Sequence, residues 1–284
     1  MPTLPRAALS LPVFLVLFCG PAAAEPDSSQ RILPTFDVMP IGKGDADLRA
    51  RALNDQGVVV GNIGTVWTAP WRWKPGAEEV TVLPFLPKWK KAGGDPGGNP
   101  VAKVRDINDR GTAVGSGGGD YSPEQDPVSW DAEGQIRDLG ELPGAAREGG
   151  AAEKITPEGA IYGWTWGADG RKTRFRWTEE VGMEPHPDAL PNDAPSPTER
   201  WVRQALSKHA LGTLVDPADV PEFPVEEKFQ PGREYFDDLR IQDINGAGQI
   251  IGWKKGLLGR HRSYLLTPRG GPAEGSDAKS GPAR

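Results

Sequence analysis

One nine-residue unit, written several times, limits what this chain can fold into more than any other feature. Leu53-Asn54-Asp55-Gln56-Gly57-Val58-Val59-Val60-Gly61 is echoed by Ile107-Asn108-Asp109-Arg110-Gly111-Thr112-Ala113-Val114-Gly115. Further copies are Ile155-Thr156-Pro157-Glu158-Gly159-Ala160-Ile161-Tyr162-Gly163 and Ile244-Asn245-Gly246-Ala247-Gly248-Gln249-Ile250-Ile251-Gly252. In all four, the glycines are four apart and the opening aliphatic stands four before the first glycine. A weaker copy runs from Val202 through Leu206-Ser207-Lys208-His209 to Val215. The copies lie about 40 to 55 residues apart, the period of propeller-type repeats.

Each unit has a local physical reading. Asn-Asp-x-Gly is turn chemistry: Asn and Asp suit the start of a type I turn, and Gly takes the positive φ that follows in a bulged hairpin. The flanking segments read as two short strands. A third strand follows around a tryptophan: Trp71-Arg72-Trp73, Val128-Ser129-Trp130, Arg174-Phe175-Arg176-Trp177. A fourth reads Glu79-Val80-Thr81-Val82-Leu83-Pro84 in one unit and Gln135-Ile136-Arg137-Asp138-Leu139-Gly140 in the next. Four short strands per repeat make one propeller blade.

The last full copy stops at a third strand, Arg262-Ser263-Tyr264-Leu265-Leu266-Thr267, with no fourth. Thr35-Phe36-Asp37-Val38-Met39-Pro40-Ile41-Gly42, before the first unit, has the pattern of a fourth strand with no blade of its own. The prediction is an all-β propeller of about five four-stranded blades over residues 31–268. An N-terminal strand completes the last blade and hides the open edges. Four blades result if the weak copy does not count, and an irregular open β-array is the competing architecture. Gly 37 and Pro 29 together argue against a mostly helical chain, since both break helix interiors.

The first 24 residues read as an export signal: Arg6 and the amino terminus, an apolar run over residues 7–18, then Ala22-Ala23-Ala24. That places the protein in the periplasm or outside the cell. Lipidation at Cys19 is the lesser alternative, because Phe18 stands where a small residue is wanted. Cleavage after Ala24 would leave no cysteine, hence no disulfide. No later stretch is long and apolar enough for an integral membrane segment. Residues 269–284 read as a flexible polar tail. A formal net charge of −6 excludes the basic footprint of a nucleic-acid binder.

At Ile107 to Gly115, Trp130 and Asp138-Leu139-Gly140 the chain resembles the bacterial extracellular HAF-repeat family. That family's repeat is aliphatic-Asn-Asp-x-Gly-x-Val-Val-Gly, then an aromatic strand, then Asp-Leu-Gly. The resemblance spans most of residues 35–268. The third unit departs from it with Thr156-Pro157-Glu158, and the weak unit departs further with Ser207-Lys208-His209. The family is defined by its repeat, so the resemblance implies an exported β-repeat protein and carries over no catalytic residue.

The search for chemistry yields binding groups rather than a reaction centre. His186, His209 and His261 are scattered and in no metal-ligand spacing, so no metal and no cofactor is expected. Asp120, Glu124 and Asp126 lack the alternation of a calcium loop. No serine sits in Gly-x-Ser-x-Gly, and no catalytic residue is assigned. Aligning the first strands places Arg51, Arg105, Glu153, Gln204 and Gln242 at one position facing a central channel, with Asp106, Lys154 and Asp243 next to it. Arg51, Arg105, Asp106, Glu153 and Asp243 are therefore the candidate ligand-binding residues. Trp89, among Lys88, Lys90 and Lys91, is a candidate stacking residue for a sugar. Trp73, Trp130 and Trp177 recur at one repeat position and read as packing between blades. The leading function is an exported non-enzymatic binding or scaffold module whose partner is a glycan or an extracytoplasmic protein. The alternative is a carbohydrate-active hydrolase using two of Asp106, Glu153 and Asp243 as its acid and base or nucleophile.

Overall fold

The structure, a computed structural model, describes residues 34–43, 47–64, 68–89, 100–119, 125–187, 195–215, 238–255 and 260–270. The export segment with Cys19, most of the polar tail, and Asp120 and Glu124 lie outside the described residues.

The described strands form four four-stranded antiparallel sheets. Strand β1 (Thr35–Pro40) comes first in the chain and is used last. The first sheet is β2 (Leu48–Leu53), β3 (Val59–Ile63), β4 (Ala69–Trp73) and β5 (Thr81–Val82). The second is β6 (Val101–Ile107), β7 (Ala113–Gly118), β8 (Asp126–Trp130) and β9 (Ile136–Asp138). The third is β10 (Gly150–Ile155), β11 (Ile161–Trp166), β12 (Lys172–Thr178) and β13 (Gly182–Pro185). The fourth holds β14 (Arg240–Ile244), β15 (Ile250–Lys255) and β16 (His261–Arg269), and β1 pairs with β16 as its outer strand. The expectation that the N-terminal strand completes the last unit is met.

The repeat motif sits at the β2–β3, β6–β7, β10–β11 and β14–β15 turns. Its first glycine has φ of 74° at Gly57, 80° at Gly111, 96° at Gly159 and 75° at Gly248, where a side chain would be strained. Its asparagine Oδ1 accepts from the backbone N–H four residues on: Asn54 from Val58 N, Asn108 from Thr112 N, Asn245 from Gln249 N. Thr156 Oγ1 accepts from Ala160 N in the same way, so the divergent third copy keeps the bond with a different side chain.

The second glycine has a separate cause. The first strand of every sheet carries a β-bulge, between Ala50 and Ala52, Val104 and Asp106, Ala152 and Lys154, and Ile241 and Asp243. The second glycine pairs with the residue before each bulge: Gly61 with Ala50, Gly115 with Val104, Gly163 with Ala152, Gly252 with Ile241. A Cβ there would run into the carbonyl of Arg49, Lys103, Ala151 or Arg240. The bulge thus demands the glycine, and a bulge in turn bends the strand and re-aims its side chains.

Three cores form between neighbouring sheets, and a further one between the fourth sheet and the helices. Trp73 shares a core with Ile251 and Leu265 of the fourth sheet. Trp130 shares one with Ala52, Val60 and Leu83 of the first, and its Nε1 donates to Pro84 O at 2.9 Å. Trp177 packs against the core that joins Val114 of the second sheet to Phe175 of the third. The recurring tryptophan therefore packs at sheet junctions, the fully buried Trp73 and Trp130 each contributing about 2 to 3 kcal/mol and Trp177 remaining partly exposed.

The count of about five blades is corrected to four. The weak copy, residues 202–215, is helical: α1 (Pro197–Leu206) and α2 (Leu211–Leu214). Ser196 caps α1, its Oγ accepting from Glu199 N at 3.0 Å, and Pro197 occupies the first turn without needing a donor. Ser-x-x-Glu at 196–199 has the spacing of a capping box. Val202 and Ala205, one helical turn apart, are buried against Phe36, Ile250 and Leu266. The strands therefore do not close into a ring of blades, and a helical segment follows the third sheet and packs on the fourth.

Candidate functional site

The four motif turns meet at one end of the molecule, and their side chains link sheet to sheet. Asn245 Nδ2 donates to Asn54 O at 2.8 Å, Asn54 Nδ2 to Asn108 O at 3.1 Å, and Asn108 Nδ2 to Thr156 O at 3.1 Å. The chain runs from the fourth sheet to the first, second and third. Ser196 Oγ extends it from α1 by donating to Gly246 O at 2.5 Å. A parallel chain uses carboxylates. Asp55 Oδ1 accepts from Gly246 N at 2.7 Å, and Asp109 Oδ1 accepts from Asp55 N at 2.8 Å. Gly246 stands where the first two copies have Asp55 and Asp109, and a Cβ there would sit 2.8 Å from Asp55 Oδ2.

Behind these turns, Asp106 and Asp243 do similar work. Asp106 Oδ2 accepts from Ile155 N at 2.9 Å, and Asp243 Oδ2 accepts from Leu53 N at 3.1 Å. Lys154 Nζ lies 3.5 Å from Asp106 Oδ2. Burial pushes the Asp106 carboxyl above the usual carboxylate range despite the Lys154 charge. Burial likewise raises Asp243, and the Asp106 charge adds to the rise. Both line one pocket of about 380 Å³ that also takes in Asp55, Asp109, Glu199 and Arg203.

A second pocket, of about 350 Å³, shares no lining residue with the first. Arg51 and Arg105, the bulge residues of β2 and β6, line it with Arg49, Lys103, Thr68 and Trp253. No carboxylate lines this pocket, whereas the first has five against the cations Lys154 and Arg203. The sheet junctions therefore present one acidic and one basic opening.

A third hollow, of about 520 Å³, lies between the outer parts of the second and third sheets and is lined by charges of both signs. The matching space between the first and second sheets is filled by Arg72, which donates to Gly111 O, Asp131 O and Ala132 O. Ser129 holds the Arg72 place in the second sheet and is too short to fill the next junction.

The sequence-derived candidates thus divide. Asp106 and Asp243 share the acidic pocket; Arg51 and Arg105 share the basic one, and Gln242 also lines it. Glu153 is the bulge residue of β10, half-buried, and lines none of these three pockets. Gln204 lies exposed on α1 and not at a first-strand position. Trp89 is corrected from a surface stacking residue to a core residue. It is 5% exposed, its ring packs over Gly117, and its Nε1 donates to Asp126 Oδ2 at 2.6 Å. Asp126, proposed for the acidic loop, is also paired with Lys88 at 2.9 Å. Among the residues that composition and alignment did not reveal are Arg49, Lys103 and Thr68 at the basic pocket and Arg203, which reaches the acidic one from a helix; Ser-x-x-Glu at 196–199 locates that helix.

Among the described residues no helix is long and apolar enough to cross a membrane. The chain matches no protein-family model and no curated protein sequence. Among solved structures it is similar to the crystal structure of TolB from Acinetobacter baumannii, at 10% identity and a TM-score of 0.33. The match covers 81% of this chain and 44% of that one, so the chain spans less than half the length of its structural neighbour.

Proposed function

We propose that this protein is an exported, non-enzymatic binding or scaffold module of propeller type, akin to the HAF-repeat proteins, that takes a glycan or an extracytoplasmic protein at its sheet-junction openings. The observation that carries this reading is the use made of the repeat's polar groups. Asn54, Asn108, Asn245, Asp55 and Asp109 are engaged in bonds between sheets, and Asp106 and Asp243 each give an oxygen to a neighbouring sheet's backbone. Such groups hold a rigid frame, and the frame leaves a basic pocket whose lining side chains are suited to binding. A thermal-shift panel of neutral and charged glycans, wall fragments and divalent cations tests it. A ligand at one hundred times its Kd adds about 2.7 kcal/mol of stability. No shift across that panel, with no protein captured from an extracytoplasmic fraction, would overturn the reading.

A second reading rests on Asp106 and Asp243. A buried and a half-buried carboxyl, both with raised pKa and lining one pocket, is an arrangement that can supply an acid and a base. Hydrolysis of any glycan in the panel, abolished by Asp106→Asn or Asp243→Asn while the fold persists, would establish it in place of the first.

A further inference from the structure

The basic pocket has an unusual ledger of hydrogen-bonding groups. Arg105 Nε is buried and has no hydrogen-bond partner among the described residues. Thr68, only 6% exposed, holds its Oγ1 buried and likewise unpartnered. Two of the five such atoms among the described residues thus belong to residues that line this one pocket. Lys103 is exposed at the same opening and makes no ion pair among the described residues. Arg51 reaches Gln242 Oε1 at 3.3 Å, an uncharged partner. Arg49 is partly engaged at the rim: its Nε donates to His261 Nδ1 at 3.2 Å, and its guanidinium lies 3.8 Å from Asp47.

The acceptors nearby are already used. Asn62 accepts from Val104 N and donates to Val104 O, which ties β3 to β6 and leaves its amide with little to offer. What faces the pocket is thus almost wholly donors: three guanidinium groups, an ammonium and a hydroxyl. Guanidinium and ammonium cannot accept, so the complementary group is acceptor-only and negatively charged. The planar guanidinium fork fits a carboxylate, sulfate or phosphate through two parallel bonds. This concentration of positive charge stands in a chain of net charge −6, so it is a local feature and no by-product of composition.

The indole of Trp253 forms one wall. The guanidinium carbons of Arg240 and Arg49 lie 4.9 and 5.8 Å from its ring centroid. The ring thereby holds cations near the opening, and the His261 ring meets it edge-on at 4.6 Å, so Trp253 is an aromatic wall fixed in place. Donors for an oxyanion next to an aromatic wall suit a charged sugar better than a bare ion or a neutral glycan.

We infer that the pocket between β2, β6 and β14, walled by Trp253 and furnished by Arg51, Lys103, Arg105 and Thr68, binds an anionic saccharide through its carboxylate, sulfate or phosphate group. This rests on the binding-module reading and narrows it to one opening and one ligand class. The test is calorimetric titration of the whole protein with trigalacturonate, glucose 6-phosphate, a sulfated disaccharide, maltotriose and inorganic phosphate. At least one anionic sugar should bind, more weakly as salt rises, and maltotriose should not. Arg105→Gln should lower the affinity about ten- to a hundredfold, the loss of one charged hydrogen-bonding group. Lys103→Gln, at an exposed position where folding is not at stake, should lower it several-fold. Arg137→Gln, the same charge change at the hollow between the second and third sheets, should leave it unchanged. The three charged sugars distinguish which oxyanion is preferred. Inorganic phosphate binding as tightly as every sugar would overturn the saccharide part. Maltotriose binding as tightly as the anions, or indifference to both Arg105→Gln and Lys103→Gln, would overturn the anion assignment and keep the binding module. Silence from every probe would overturn the inference, and the wider panel and protein capture would then decide the broader reading separately.

Discussion

The side-chain amide of Asn245 donates to the backbone carbonyl of Asn54 at 2.8 Å, across 191 positions of sequence. Both residues open the same turn motif in different sheets. Each asparagine thus serves twice: Oδ1 shapes its own turn and Nδ2 binds the next sheet. The doubling separates two explanations of one recurring residue.

Asn54→Asp keeps the turn acceptor and loses the donor to Asn108 O. If turn formation were its whole role, the change would be nearly neutral. We expect a loss of about 1 to 3 kcal/mol, because the buried bond between the sheets is lost and a carboxylate is set against the Asn108 carbonyl, which keeps only its turn bond from Gly111 N. Urea denaturation of Asn54→Asp beside Asn54→Ala measures the two roles apart.

Gly115→Ala should be among the most damaging single-methyl changes in the molecule. The added Cβ would meet the carbonyl of Lys103 at the bulge, which is backbone and cannot swing aside. A loss of about 3 kcal/mol or failure to fold is expected. Gly140→Ala is the control: its φ is 77° but no atom lies near the new methyl. Only the left-handed backbone cost of about 1 to 2 kcal/mol applies there. Equal melting temperatures for the two variants would contradict the bulge explanation.

Trp89→Ala should act on stability and not on binding. The ring is buried with Trp130, Val104 and Leu86, so its loss should cost about 3 to 5 kcal/mol. Trp89→Phe should recover most of that. Affinity for any glycan, measured on folded protein, should be the same in Trp89→Phe as in the parent.

The pH dependence of Asp243 has a defined sign. Burial and the Asp106 charge raise its folded pKa above the ordinary 3.8, so the folded state holds that proton more tightly than the unfolded chain. Its contribution favours folding at low pH and is lost as pH rises from 3.8 through the raised value. Asp47 runs the other way: burial raises it, but the bonds to His261 outweigh burial and lower it. Its stability is present above 3.8 and is lost as pH falls through the folded value. Asp243→Asn keeps an acceptor for Leu53 N, so its stability relative to the parent should improve as pH is raised from about 4 to neutral. Asp106→Asn should lower the Asp243 pKa, which carboxyl carbon NMR reads directly.

Phe36→Ala tests the completing strand. Phe36 is fully buried against Val202, Ile250 and Leu266, and only β1 carries it there. A loss of about 3 to 5 kcal/mol by denaturant titration is expected. A negligible change would mean that β1 is a removable edge and not a part of the fourth sheet.

Much of this fold was legible residue by residue. The turn glycine, the tryptophan at the third strand and the orphan strand before the first unit each carry a local signal. The helix at residues 197–206 is masked by the aliphatic spacing of residues 202–215, which imitates a strand repeat, although Ser196-Pro197-Thr198-Glu199 carries the capping chemistry of a helix start. The binding groups were only partly legible. Arg51 and Arg105 align in sequence, but nothing local says that they and Asp106 open into different pockets.

The sequence by itself determined the repeat, its turns and the number of strands per unit, because those depend on φ preferences and on side chains reaching four residues along the chain. Tertiary structure decided what short-range chemistry does not encode. It decided that the second glycine faces a bulge, that Asn245 reaches Asn54, that Trp89 is buried, and that the cations and carboxylates separate into two openings. Each of these depends on which sheet lies beside which, and that is set by cores shared between sheets rather than by any segment alone.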